Sequence, residues 1–276
     1  MPIVTLITDF GNKDYAVAAV KGAIHCTLDN PKIVDISHQI SPYNPTEAAY
    51  VLKNAYRNFP KGSIHIIGVE SEKTSENQHL AMFFDGHYFI GADNGIFAMI
   101  KGDLKSEKIV AIDIHDKMPR TYPVLEVFVW VAAHISNKGT LEVVGKSVDH
   151  IKEIKELRPV INQQRDQIIG AVIYVDNYGN VVTNVTRKLF NEVGKSRAFT
   201  IYARNVKFRN VFETYSDAID FSVPKDKRDE DGKKIALFND ADHLELAIYK
   251  SNTQTVGSAQ SLFGLEYRES ITIKFE

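Results

Sequence analysis

Residues 4–24 read VTLITDFGNKDYAVAAVKGAI, an apolar run that is followed by two acids and then by a helical pattern. Ile3–Thr8 has the continuous apolar character of a buried strand, whereas Val17, Val20 and Ile24 recur at helical spacing. A strand that leads into a helix is the repeating unit of α/β folds. The stretch therefore predicts an N-terminal α/β domain that opens with a buried strand.

Two carboxylates, Asp9 and Asp14, lie between this strand and this helix. Loops that follow the carboxyl ends of strands form the ligand crevice of α/β sheets. A carboxylate there offers two acceptor oxygens for a pair of ribose hydroxyls, and Gly11 lets the backbone turn close to a ligand. We therefore predict that Asp9 binds a nucleoside. Two interpretations of Asp14 stay open, a ligand contact and a cap on the helix that starts beside it.

The rest of the chain divides into two patterns. Strand-like and helical segments alternate through the first half, which predicts a mixed sheet flanked by helices over residues 1–160. The polar segment 157–166, LRPVINQQRD, then leads into short β-like segments such as IIGAVIYVD, KIALF and HLELAIY. We predict that residues 167–276 form an all-β barrel domain.

Composition narrows the classes of partner. The 276 residues carry 33 Lys and Arg against 35 Asp and Glu, a formal net charge of -2, which argues against nucleic acid and anionic membranes as partners. No apolar stretch approaches the length of a membrane span, and no cationic leader precedes the first strand. The single cysteine, Cys26, predicts a reducing cytoplasm, and the nine histidines form no metal-binding motif, so we expect no metal.

A second polar constellation, Asp176–Asn180, lies within YVDNYGNVVTN. Asn and Gly favour hairpin turns, and a turn is one interpretation of this segment. An acid, an aromatic ring and an amide placed together also provide a charge partner, a stacking face and hydrogen bonds. These are the groups that an adenosine-like ligand requires, so both interpretations stay open.

Together these segments resemble the S-adenosylmethionine (SAM) hydroxide adenosyltransferases, or SAM hydrolases, which are relatives of the fluorinases and chlorinases. The similarity runs from TLITDFGNKDYAVAAVKG through ISPYNPTEAA, YFIGADNGIF and TYPVLEVFVWVAAHI to VDNYGNVVTN, TYSDAI, LELAIY and SAQSLFGL. It covers nearly the whole chain in unbroken order. It implies an α/β domain, a β-barrel domain and a homotrimer whose sites lie between neighbouring subunits.

The resemblance assigns substrate contacts in the first half of the chain. It implies that Asp9 holds the ribose hydroxyls with Asp14 nearby. Tyr43 falls where the family often places an aromatic residue beside the ligand. A half-buried structural aromatic is the alternative for Tyr43.

It also assigns contacts in the second half. Asp176 and Asp240 match residues that contact the amino-acid end of the methionine. Tyr178, Asn180 and Tyr215 match residues that stack on the adenine or form hydrogen bonds with it. Ordinary half-buried packing is the alternative for the two tyrosines.

The chain departs from the family at its water-activating motifs. SAM hydrolases carry VDPGVG followed by an arginine, and later a TFHGRD-like segment, from which an Asp, an Arg and a His position water. In this chain Glu70 occupies the Asp position and Gln78 the Arg position. Pro123 replaces the His, and Val124 and Leu125 follow it. Of the expected triad, one carboxylate remains.

Glu70, Gln78 and His79 are therefore the candidate catalytic residues. Glu70 carries a carboxylate, a group that can act as a base toward water. Because neighbouring residues of a strand alternate faces, we expect Gln78 and His79 to point in opposite directions. We expect His79 to be a surface histidine.

The resemblance predicts a divergent SAM hydrolase in which water attacks C5′ of SAM to give adenosine and methionine. It predicts no cofactor, since SAM is the substrate. One alternative is a non-catalytic protein that binds SAM or adenosine after losing the triad, and another is a different adenosine-containing substrate. Halogenation is disfavoured, because Val124 stands where the fluorinase has a serine hydroxyl.

Overall fold

The computed structural model describes residues 3–102, 104–117, 122, 124–154, 157–230 and 232–276. The chain divides into two compact units, residues 1–155 and 156–276. Each unit has its own sheet and its own apolar core. The predicted fold class, an α/β unit followed by an all-β unit, is confirmed.

The N-terminal unit alternates strands and helices in chain order. Its elements are β1 Ile3–Thr8, α1 Ala16–Thr27, β2 Lys32–Ser37, α2 Pro45–Ala55, β3 Ile64–Gly68, β4 His79–Phe84, β5 His87–Ala92, α3 Ile96–Lys101, β6 Lys108–Ile112, α4 Val129–Ser136 and β7 Gly145–Ser147. The predicted strand Ile3–Thr8 is confirmed at both ends. A π-helical turn at Val124–Phe128 leads directly into α4.

The described strands of this unit form a mixed seven-stranded sheet in the order β2-β1-β3-β5-β4-β6-β7. Strands β2, β1, β3 and β5 are parallel, and β4, β6 and β7 add to them in antiparallel fashion. Parallel pairing requires crossover connections, which α1 and α2 supply. The carboxyl ends of β1 and β3 consequently lie side by side.

Helices cover both faces of this sheet. One buried cluster joins Leu6 and Ile66 to residues of α1 and α4, while a second joins Ile7 and Ile67 to residues of α2 and α3. Successive strand residues point to opposite faces, so adjacent positions of β1 and β3 enter different clusters. Because both faces of the sheet are covered, both sets of strand residues are buried, and these strands therefore have continuous apolar sequences. Each fully buried aliphatic side chain contributes about 1.5–3 kcal/mol to the stability of the fold.

The C-terminal unit is built mainly from antiparallel strands. Its elements are β8 Val160–Ile161, β9 Gln167–Val175, β10 Val181–Thr186, α5 Arg187–Gly194, β11 Phe199–Ala203, β12 Val206–Phe208, β13 Lys234–Phe238, β14 His243–Ile248, α6 Ala259–Phe263 and β15 Ser270–Phe275. Within the described residues these strands pair in the order β12-β11-β15-β9-β10-β14-β13, with β8 on β9. The Phe212 amide donates to the Ala236 carbonyl at 2.8 Å, which brings the chain after β12 against β13 and nearly closes the barrel.

Candidate functional site

The sheet of the N-terminal unit places Asp9 beside Glu70. Thr8 ends β1 and is the register partner of Gly68, which ends β3. The Asp9 amide then donates to the Gly68 carbonyl at 3.4 Å. Both acidic side chains therefore follow adjacent parallel strands at the same edge of the sheet, where α/β proteins bind ligands.

Two backbone amides hold the carboxylate of Asp9. The amide of Tyr43 donates to Oδ2 at 3.0 Å and the amide of Glu70 donates to the same oxygen at 3.3 Å. Both donors have left-handed backbone conformations, with φ of +58° at Tyr43 and +43° at Glu70. A non-glycine residue in this region costs of order 1–3 kcal/mol, and such strain clusters at functional sites. No donor among the described residues reaches Oδ1, so that oxygen can accept hydrogen bonds from a ligand.

Asp14 lies at the start of α1. Its Oδ1 accepts a hydrogen bond from the Ala16 amide at 3.0 Å, and the residue is exposed. This contact lies just before α1, whose N-cap residue is Tyr15 and has no side-chain capping hydrogen bond, so the interpretation of Asp14 as the helix cap is not confirmed. A ligand contact by Asp14 stays a prediction.

Exposed tyrosines surround Asp9. Tyr15 is 80% exposed, Tyr43 is 78% exposed and Tyr122 is 41% exposed, whereas large aromatic side chains are usually buried. The Tyr122 ring lies 6.0 Å from the Phe10 ring, and burial, with Tyr15, Asp14 and Asp9 nearby, raises the pKa of its phenol. Sequence reasoning missed Tyr122. The signal was present, because Tyr122 immediately precedes the proline that replaces the family histidine.

Glu70 itself is half-buried and directly follows the buried Val69. Asn94, which is 3% exposed, donates from Nδ2 to the Val69 carbonyl at 3.0 Å. Val124 is fully buried in the apolar core. Pro123 lies outside the described residues, as does the side chain of Leu125.

Gln78 and His79 separate as predicted, since Gln78 is exposed and His79 is buried. The prediction of a surface histidine is wrong, because His79 is only 1% exposed. It begins β4, which lies between β5 and β6, and its ring meets the Phe128 ring edge-on at 4.8 Å. Its Nδ1 lies 2.8 Å from His115 Nε2 and its Nε2 lies 3.0 Å from the Ser71 carbonyl. Protein atoms therefore engage both ring nitrogens.

Burial, and then the neighbouring His115, lower the pKa of His79 to about 4. The imidazole is consequently neutral at pH 7. A neutral ring with both nitrogens engaged inside the protein is poorly suited to exchange protons with a bound substrate. The geometry therefore argues against a direct catalytic role for His79, which the sequence had suggested.

In the C-terminal unit, Asp176–Asn180 forms the turn between β9 and β10. Asp176 Oδ1 accepts from the amides of Tyr178 at 2.9 Å and Asn180 at 2.8 Å, and its Oδ2 accepts from Asn180 Nδ2 at 3.0 Å. The hairpin turn that the sequence left open is therefore present. Tyr178 is 65% exposed at its tip, while Asn180 is 5% exposed.

A neighbouring segment fixes this turn. The Gln260 amide donates to the Gly179 carbonyl at 2.9 Å, and Ser251 Oγ donates to the Tyr178 carbonyl at 3.3 Å. Gly179 has a φ of +74°, and a Cβ built there would lie 2.3 Å from the Ser258 side chain. Only glycine fits this close approach.

Glu245 binds the predicted residue Tyr215 and lies close enough to Asp176 and Asp240 to be affected by their charges. The Tyr215 hydroxyl donates to Glu245 Oε1 at 2.5 Å, and Asn239 Nδ2 donates to Oε2 at 3.1 Å. Burial, with Glu245 and the charges of Asp176 and Asp240, raises the pKa of Tyr215. Burial and the same two aspartates raise the pKa of Glu245, which is 3% exposed. Several carboxyl groups together favour a cationic ligand group.

Sequence reasoning missed Glu245. It is the acid within the apolar strand segment HLELAIY, and a buried acid in such a run signals a polar network. Among the described residues, no group of three or more His, Cys, Asp or Glu side chains is arranged to hold a metal ion. No helix in the same part of the chain is long and apolar enough to cross a membrane.

Comparison with known protein families gives a match in each of the two units. Residues 4–145 match the SAM hydroxide adenosyltransferase N-terminal domain, and residues 170–272 match the C-terminal domain of the same family. The chain belongs to the SAM hydroxide adenosyltransferase family. The predicted family membership is confirmed.

Similar proteins of this family are named either SAM hydrolases or fluorinases. It is 29% identical over 279 residues to an (R)-S-adenosyl-L-methionine hydrolase of Methanocaldococcus jannaschii, covering 99% of this chain and 96% of that protein. It is 20% identical over 280 residues to a fluorinase of Actinopolyspora mzabensis, covering 89% and 90% of the two chains. A solved structure of an uncharacterized conserved protein from Thermotoga maritima shares the fold, with a TM-score of 0.82, 24% identity and coverage of 99% and 100%.

Proposed function

We propose that this chain catalyses the hydrolysis of SAM to adenosine and methionine. The oxygen of a water molecule bonds to C5′ of SAM while the bond from C5′ to the sulfonium sulfur breaks. The electron pair of that bond passes to sulfur, so methionine leaves as a neutral thioether and the water releases a proton. The leaving group needs no general acid, and the reaction requires only SAM and water.

The observation that carries the proposal is the orientation of Asp9. One oxygen of its carboxylate is bound by the amides of Tyr43 and Glu70, while the other accepts from no donor among the residues that the structure describes. A carboxylate fixed in this way is preorganised to accept hydrogen bonds from ribose hydroxyls. Relatives that align over nearly the whole chain are named SAM hydrolases, which supports the same substrate.

Glu70 is the proposed base that removes a proton from the attacking water. It is the acid adjacent to Asp9, and it is half-buried at the end of β3. A positioned base typically contributes about 10²–10⁴-fold to the rate. Gln78, which replaces the family arginine, is exposed and is proposed to have a weaker positioning effect on water.

The C-terminal unit is proposed to bind the two ends of SAM. Asp176 and Asp240 supply negative charge for the α-ammonium group of the methionine portion. Tyr178 and Tyr215 offer partly exposed rings for the adenine, and Asn180 offers an amide. Asn180 Nδ2 donates one of its two hydrogens to Asp176, so its Oδ1 and its second hydrogen remain for a ligand.

Water is the proposed nucleophile rather than a halide. A halide ion needs hydrogen-bond donors to replace its hydration shell. Val124, which stands where the fluorinase has a serine, is fully buried among apolar side chains and offers no donor. Fluoride or chloride would therefore lose hydration without compensation at this position.

The test is turnover of SAM in water enriched in ¹⁸O. Adenosine and methionine should form in equal amounts, and the label should appear in the 5′-hydroxyl of adenosine. The Glu70→Gln variant should keep SAM binding by calorimetry and lose about 10²–10⁴-fold in kcat. Binding of SAM without turnover by the unmodified protein would instead establish the non-catalytic alternative.

We also propose that the chain assembles as a homotrimer in the cytoplasm, with sites between neighbouring subunits. We call the residues around Asp9 and the residues around Asp176 the two half-sites. Both carry exposed aromatic residues, Tyr15 and Tyr43 in the first and Tyr178 in the second, and this exposure supports their burial in an assembly. Light scattering coupled to size-exclusion chromatography should give a mass of three chains. A monomeric mass with full activity would contradict the proposal.

A further inference from the structure

The segment Val69–Ser71 presents three consecutive carbonyl groups to buried side chains. Asn94 Nδ2 donates to the Val69 carbonyl at 3.0 Å and makes a longer contact of 3.5 Å with the Glu70 carbonyl. His79 Nε2 lies 3.0 Å from the Ser71 carbonyl. The Glu70 amide is bound by Asp9, so the backbone around Glu70 is fixed on both sides.

This fixation matters because Glu70 has a φ of +43°. A residue with a Cβ leaves that conformation unless its surroundings hold it there. Asn94 and His79 are 3% and 1% exposed, so water does not compete for their hydrogen bonds. Their hydrogen bonds reach the carbonyls of Val69 and Ser71, the residues on either side of Glu70 in the chain.

The hydrogen-bond chain fixes the tautomer of His79. A carbonyl only accepts, so His79 Nε2 carries the proton that bonds Ser71. His79 Nδ1 is then an acceptor, and His115 Nε2 donates to it at 2.8 Å. His115 Nδ1 accepts in turn from Lys73 Nζ at 3.2 Å. Every nitrogen in this chain therefore has one consistent role.

We propose that His79 and Asn94 are positioning residues that hold the Glu70 carboxylate beside Asp9 by binding the backbone carbonyls of Val69–Ser71. This inference rests on the proposed function, in which Glu70 acts on water. In this proposal neither His79 nor Asn94 contacts the substrate. The two residues act by keeping the turn that presents Glu70, since small displacements of a catalytic group lower the rate steeply.

Two substitutions separate this role from simple packing. In His79→Gln the side-chain amide nitrogen can reach the position of Nε2 and keep the donor for Ser71. In His79→Asn the amide reaches only the position of Nδ1, so the contact with His115 persists and the bond to Ser71 is lost. Both replacement side chains are polar and no larger than histidine, so the two variants should disturb the packing to a similar extent.

His79→Asn should lower kcat for SAM hydrolysis by at least about tenfold, with the Kd for SAM within about threefold of the unmodified protein. His79→Gln should keep kcat within about threefold. His134→Phe is the matched control, because His134, on helix α4, also binds a backbone carbonyl through Nε2, that of Thr140 at 3.0 Å. That control should leave both constants unchanged.

Hydrogen–deuterium exchange of the peptide covering residues 69–74 gives a readout that does not depend on activity. Exchange should be faster in His79→Asn than in His79→Gln at equal thermal stability. Equal kcat and equal exchange in the two variants would overturn the proposal. If the unmodified protein leaves SAM intact, the proposed function fails, and the exchange comparison alone decides whether His79 holds this segment.

Discussion

Asp9 is oriented by backbone groups that are remote in sequence. Its carboxylate depends on amides at Tyr43 and Glu70, residues that reach it only because β1 lies next to β3 and β2 in the sheet. Both amides sit at positive φ, so the chain accepts local strain to aim two donors at one oxygen. The second oxygen is the atom of Asp9 on which the proposed binding of ribose depends.

The Asp9→Asn substitution should separate these two oxygens. The side-chain oxygen of Asn can still accept from both amides, but the other atom becomes an uncharged donor. Because hydrogen bonds to charged groups contribute about 1.5–3 kcal/mol, kcat/KM for SAM should fall about 10–100-fold or more. Asp14→Asn is the control, since its side-chain oxygen can still accept from the Ala16 amide, and it should change kcat/KM less than about threefold. Equal losses in the two variants would contradict the separate roles of Asp9 and Asp14.

The hydroxyl of Tyr215 should stabilise the C-terminal unit through Glu245. Tyr215→Phe leaves Glu245 Oε1, a buried acceptor, without its 2.5 Å partner. An unsatisfied buried acceptor costs about 1–3 kcal/mol, so the free energy of unfolding in urea should fall by that amount. Tyr178→Phe is the matched control, because Tyr178 is 65% exposed, and it should stay within about 0.5 kcal/mol of the unmodified protein. Equal stabilities of the two variants would show that the hydroxyl of Tyr215 does not stabilise the fold.

Among the elements, the β9–β10 turn depends on one glycine. Gly179→Ala places a Cβ against Ser258 at a positive φ, so we expect a loss of at least about 2 kcal/mol in stability and displacement of the segment that holds the turn. Gly232→Ala is the control. It has a similar φ of +68° with no atom within 4 Å of the added Cβ, so it should cost only about 1 kcal/mol. Thermal unfolding of both variants checks the difference, which should vanish if the contact with Ser258 is unimportant.

Buried histidines should make the sheet of the N-terminal unit sensitive to acid. Burial, and then His87, lower the pKa of His65 to about 3, and burial, and then His115, lower that of His79 to about 4. The unfolded chain binds protons at these positions near pH 6.5, whereas the folded chain does not. Stability is therefore fully present above pH 6.5 and is lost as the pH falls toward 4, by about 3 kcal/mol for His79 alone.

Trp130, the only tryptophan of the chain, lies on α4 and reports on this unit. The midpoint of urea unfolding, followed by the wavelength of its emission, should fall between pH 6.5 and pH 4. His79→Gln removes one titrating group and should flatten that slope. A midpoint that stays constant over this range would contradict the assignment of neutral buried histidines.

At the scale of the whole molecule, the proposed homotrimer predicts complementation between two variants of strongly reduced activity. Asp9→Asn alters one half-site, and Asp176→Asn alters the other while keeping an acceptor for the turn amides. In randomly mixed trimers with sites shared between subunits, about a quarter of the sites contain both natural residues. Co-expression should therefore restore about a quarter of the activity of the unmodified protein. Sites formed within single chains would give no recovery.

Much of the architecture could be predicted from local patterns. The strand Ile3–Thr8, the helices of the first half and the short β-segments of the second follow from apolar periodicity, and the family motifs occur in order along the chain. Asp9 and Asp176 could be selected because acids and glycines interrupt apolar segments at strand ends. Such signals are carried by a few neighbouring residues, so no tertiary contact is needed to detect them.

The environment of each side chain depends on packing between distant elements. His79 is buried because β4 lies inside the sheet with Phe128 against it, and Glu245 is satisfied because Tyr215 and Asn239 reach it. The order of amino acids was enough to establish the family, the two fold classes and the residue types at the candidate site. Which atoms of those residues are already bonded emerged from the three-dimensional arrangement, because hydrogen bonds between residues 30 to 61 positions apart leave no local pattern.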